Sequence, residues 1–71
     1  MDPRVRTLRH DLRGQLNSIV LCSSVLPITD DPSEKLQFID EIILAATRAE
    51  ALLDELDSLP PEAFADSPPK V

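Results

Sequence analysis

His10 is the only histidine in the 71-residue chain, and it sits among residues that change what an imidazole can do. Asp11 follows it, Arg13 lies three residues on and Arg6 four residues back. An imidazole titrates near neutral pH, so its free nitrogen can act as a nucleophile or pass a proton. A carboxylate beside it can orient the ring, and guanidinium groups can neutralise an anion held there. Residues three and four apart share a helix face, so Arg6 and Arg13 flank His10 if the segment is helical. On the same condition, His10 and Asp11 diverge by about 100°.

Other chemistry is narrowed by composition. Cys22 is the only cysteine, which excludes a disulfide framework and fits a reducing, cytoplasmic compartment. Cys22 and His10 together supply too few ligands for a zinc site, so no metal is expected. The single glycine, Gly14, cannot make a phosphate-cradling loop, so no nucleotide or other cofactor is expected. The net charge is −6, from seven basic and thirteen acidic residues, which argues against nucleic acid as the partner. No apolar run is long enough to span a membrane, and no signal-peptide pattern opens the chain. The charge is uneven. Four arginines stand against Asp11 between Arg4 and Arg13, whereas eleven acids stand against Lys35 and Arg48 between Asp30 and Asp66. The basic patch suits an acidic surface or an anion, or is simply a solvated helix face.

Two helices must position these residues. Asp2-Pro3 reads as an N-cap and first-turn proline. Val5, Leu8, Leu12, Leu16, Ile19, Cys22 and Leu26 follow at helical spacing, predicting a helix over 3–26 that Pro27 ends. Asp31-Pro32-Ser33-Glu34 is a second start with the look of a capping box. The stripe Leu36, Ile39, Ile42/Ile43, Ala46, Ala49, Leu52/Leu53, Leu56 and Leu59 predicts a helix over 32–59. The short link makes an antiparallel hairpin of 1–59. Residues 60–71, with four prolines, read as a disordered tail.

One hairpin buries too little apolar surface to offset the entropy of ordering it. The expected fold is therefore all-α, an antiparallel two-helix hairpin dimerising into a four-helix bundle, with a two-fold homodimer as the simplest route. With Val5 at heptad position a, Gln15 falls at d, a polar residue of the kind that fixes register, and His10 falls at f, facing outward.

The run Leu8-Arg9-His10-Asp11-Leu12-Arg13-Gly14-Gln15-Leu16-Asn17-Ser18-Ile19 resembles the H-box of the histidine kinase dimerisation and phosphotransfer domain. His10, Asp11, Leu12, Arg13, Leu16 and Asn17 match that pattern, whereas Gly14 and Gln15 do not. Gln37–Ile42 and Arg48–Leu59 look like the second helix of the same family, so the resemblance covers residues 4–59. It implies two-component signalling: His10 would exchange a phosphoryl group with a receiver aspartate, Asp11 would orient the ring, and Arg13 would balance charge. A response-regulator receiver domain or a histidine kinase is then the expected partner. Arg6, Gly14, Asn17, Val20 and Leu21 are the expected docking residues; the bland reading of Val20 and Leu21 is wider bundle packing. Gly14 replaces the side chain that positions water for receiver dephosphorylation in the family, so that activity is not expected here.

The ATP-binding domain that follows in the family has no counterpart in the proline-rich segment, so the chain by itself is not a complete kinase. Met1 and the tail fit a complete small protein, and an excised kinase fragment is the other reading. Two non-catalytic readings compete: an interaction protein that binds receivers or kinases with His10 silent, and a small acidic helical module such as an antitoxin or scaffold.

Overall fold

The computed structural model describes residues 1–65. It is all-helical, with two long helices packed against each other as an antiparallel hairpin. Helix α1 spans Pro3–Val25 and helix α2 spans Pro32–Ser58.

Each helix starts where its cap chemistry places it. The Asp2 carboxylate accepts a hydrogen bond from the Arg4 N–H at 2.8 Å, and Pro3 takes the first helical position, where no backbone donor is needed. Asp31 does the same for α2, accepting from the Ser33 N–H at 3.0 Å with Pro32 behind it. Pro27 does not break α1 abruptly. The chain tightens into a 3₁₀ turn over Leu26–Ile28, and Thr29 closes it, its hydroxyl donating to the Val25 carbonyl at 2.7 Å.

The seam between the helices is narrow. Val5, Ala45, Ala49 and Leu56 are buried there, and Leu8, Leu12, Gln15, Ile19 and Cys22 are half-buried along α1. Small side chains at Ala45 and Ala49 let α1 approach α2 closely. The broad apolar stripe expected on α2 divides in two. Ile42, Ala49, Leu52 and Leu56 turn toward α1, and Ala45 joins them rather than Ala46. Leu36, Ile39, Ile43 and Leu53 stay exposed. The reason is geometric: a partner helix on one side covers about a third of a helix circumference, and this stripe is wider.

Residues 60–65 differ from the expectation of a structureless tail. Pro61–Phe64 form a second 3₁₀ turn that folds back on the start of α1. The Asp2 N–H donates to the Ala63 carbonyl at 2.9 Å, and Ala63 is buried in a cluster with Val5 and Leu56, against Leu8, Leu12 and Leu59. Two consecutive prolines redirect the chain at the end of α2, and the small Ala63 fits the space beside Val5. The rest of the predicted tail, residues 66–71, lies outside the described residues.

Candidate functional site

His10 lies in the middle of α1, exposed and away from the seam. It borders two grooves. One, of about 400 Å³, runs between the helices and is lined by His10, Asp11, Gly14 and Gln15 from α1 and by Arg48, Ala51 and Leu52 from α2. The other, of about 280 Å³, lies on the opposite side of His10 and is lined by Met1, Arg6, Arg9 and Arg13. The imidazole therefore sits on a ridge with guanidinium groups to either side.

Backbone geometry explains the first groove. Gly14 has no side chain, and nothing stands within 4 Å of where a Cβ would be. Ala51 across from it is also small, so the two helices leave a trough next to His10. Arg48 reaches this trough from α2, and nothing about residue 48 in the linear sequence marks it as a site residue. The signal was present only as a combination: α2 is acidic throughout, Arg48 is its lone arginine, and antiparallel pairing brings position 48 level with position 15.

Asp11 lines the same groove as His10, though adjacent positions diverge by about 100° around the helix. Arg6 and Arg13 line the basic groove, one turn either side of His10, with Arg9 between them. The Arg9 side chain also approaches the Met1 sulfur at 4.0 Å. Among the described residues, none of these three arginines forms an ion pair within the chain; the pair that does form is Arg4 with Asp2, at 2.7 Å.

The expected docking residues separate into two groups. Leu21, eleven positions after His10, and Asn17, seven after it, both return to within about 20° of it around the helix. Val20 turns about 100° away from Leu21 and stands with Leu16 on the other side of α1. Moving up in residue number turns α1 clockwise and the antiparallel α2 anticlockwise, for one line of sight. Residues that lead the seam in both helices thus share a face. Leu16 and Val20 of α1 lead it, as do Ile39, Ile43 and Leu53 of α2, whereas Gly14, Asp11, Arg48 and Ala51 trail it. The hairpin has an apolar face and a groove face, and Val20 belongs to the first.

Hydrogen bonds from the Arg4 side chain and backbone hold the Asp2 carboxyl below the usual carboxylate range, and the same pairing raises Arg4. No family model, curated protein or solved structure matches the chain. Among the described residues, no helix is long and apolar enough to cross a membrane.

Proposed function

We propose that this chain is a dimeric histidine phosphotransfer protein of two-component signalling, with His10 as the phosphoryl carrier. The observation that supports it best is the position of His10: exposed on a helix, on a ridge between grooves that carry Arg13 and Arg6 on one side and Arg48 on the other. A phosphoryl group arriving there meets a nucleophile and positive charge, with open access for a bulky donor.

In the proposed reaction, an imidazole nitrogen of His10 attacks the phosphorus of an aspartyl phosphate on a receiver domain. The new P–N bond forms as the P–O bond to the receiver carboxylate breaks, and that carboxylate departs as the leaving group. Asp11 accepts a hydrogen bond from the second ring nitrogen and stabilises the charge that develops on the ring. Arg13, with Arg6, offsets the negative charge of the transferred group. The reverse step returns the phosphoryl group to a receiver. The hairpin acts as one half of a four-helix bundle, in which its apolar face is covered. Gly14 leaves no side chain to position water, so the chain does not dephosphorylate a receiver.

The test uses a phosphorylated receiver domain, or a histidine kinase with ATP, as donor. Acid-labile, base-stable label on the wild type and none on His10→Gln is the expected result. Equal labelling of the two, or no labelling from any donor while receivers still bind, would replace this reading with that of a non-catalytic interaction protein.

A further inference from the structure

The charges along the apolar face carry a pattern that one chain leaves unused. Arg6, Arg9 and Arg13 advance along α1 in steps of three and four residues. Asp57, Asp54 and Glu50 run back along α2 in the same steps. The grooves set the register of the hairpin: Asp11, Gly14 and Gln15 lie level with Arg48, Ala51 and Leu52, and the Pro3–Leu8 turns lie level with Glu55–Leu59. In that register Arg6 is level with Asp57, Arg9 with Asp54 and Arg13 with Glu50. Arg6, Arg9, Arg13, Glu50 and Asp57 lead the seam and occupy the outer flanks of their helices on the apolar-face side, with Asp54 at the outer edge of its flank, opposite the seam. Within one chain the two flanks point apart. Nearer the loop, the same register sets Val20, 60% exposed, level with Ile43, 59% exposed.

We propose that a second copy of this chain covers the face, related by a two-fold axis running along the hairpin, so that the Arg6, Arg9 and Arg13 series of each copy meets the Glu50, Asp54 and Asp57 series of the other. An axis along the hairpin keeps every level unchanged, and it sets α1 of one copy beside α2 of the other, antiparallel. Matched series of opposite sign then face each other twice, and Val20 meets Ile43 twice, side by side at the loop end. A two-fold axis across the hairpin would instead set α1 on α1 and lay the arginines against the Ser18–Val25 turns of the other copy, which carry no carboxylate. Charge complementarity thus selects both the occupant and its orientation. This rests on the dimer reading above and adds what that reading lacks, the cross-chain pairing. It also makes the site composite, because carboxylates of the second copy enter the basic groove beside His10. A guanidinium has five donors, so Arg13 can hold a carboxylate and still present an N–H to an anion.

The experiment is a charge swap read by sedimentation equilibrium at low salt. One variant carries Arg6→Glu, Arg9→Glu and Arg13→Glu; the other carries Glu50→Lys, Asp54→Lys and Asp57→Lys. Each alone places like charges along both contacts, and its dimer dissociation constant should rise at least about tenfold. An equimolar mixture restores opposite charges at every contact and should recover a dimer of mixed composition. If a variant unfolds when alone, helical circular dichroism regained on mixing supports the pairing equally. Wild-type affinity from either triple, or a mixture that neither dimerises nor refolds, would overturn it. A monomeric wild type would remove the dimer reading itself, whereas a wild-type dimer indifferent to both triples would remove the pairing alone.

Discussion

At the scale of single residues, the cap of α1 combines three interactions on one residue, two through its carboxylate and one through its backbone. Asp2 accepts from the Arg4 N–H, pairs with the Arg4 guanidinium at 2.7 Å, and gives its own N–H to Ala63. Its carboxyl is held below the ordinary range mainly by the Arg4 side-chain hydrogen bond and then by the Arg4 backbone N–H. A group with a depressed folded-state pKa stabilises the fold above its unfolded-state pKa. That contribution is lost as the pH falls through the folded-state value. The wild type should therefore lose more of its melting temperature on acidification than Asp2→Asn, which keeps a cap acceptor but cannot ionise. Parallel melting curves for the two across the acid range would contradict this account. Gly14 offers a second residue-scale test. It is helical, exposed and has open space where a Cβ would go, so Gly14→Ala should stabilise the protein by about 0.5–1 kcal/mol. Thermal unfolding measures it, and a lower melting temperature would mean that the trough beside His10 depends on the glycine for more than its small size.

At the scale of elements, the hairpin depends on small residues at its middle and larger ones at its open end. Ala45 and Ala49 are buried against α1, so an added methylene there has no free volume to occupy. Ala49→Leu should cost about 1–3 kcal/mol through overpacking, read by chemical denaturation. Leu56 holds the open end, touching the cluster of Val5 and Ala63. Leu56→Ala should cost about 2–4 kcal/mol and release the Pro61–Phe64 turn from α1. Amide exchange at Asp2, whose N–H donates to Ala63, is the local reporter: it should speed up in this variant more than exchange in the middle of α1. The sequence announced both helices and their caps because cap chemistry and apolar spacing are local signals. The 3₁₀ turn at 61–64 escaped because proline content argues against structure on average, and only a contact with the far end of the chain, at Val5, outweighs that.

At the scale of the whole molecule, the imbalance between core and exposed apolar surface is the dominant fact. Five residues form the buried core of the hairpin, while Leu16, Val20, Ile39, Ile43 and Leu53 stand exposed together on one face. Such a face favours association, and if a second copy covers it the melting temperature rises with protein concentration. Val20→Lys or Ile43→Lys should then shift the mass toward the monomer. Leu21→Lys and Leu44→Lys, on the groove side, should leave the mass unchanged. Masses that respond alike to all four changes would show that the two faces are not distinct. Screening also enters at this scale. If Arg6, Arg9 and Arg13 meet carboxylates across the interface, added salt weakens association of the wild type.

The types of residue, their spacing and the chain length by themselves determined two capped helices, a short link and a histidine turned away from the seam. Each of these follows from interactions within a few residues of the chain, which a linear pattern records. Which half of a broad apolar stripe faces α1, the pairing of Val20 with the apolar face rather than with Leu21's side, and the arrival of Arg48 at His10 were decided only when the helices packed. Those outcomes depend on the angle and register between two helices, and that relation is set by side-chain volume where they touch, at Ala45 and Ala49 of α2 against residues of α1 distant in sequence.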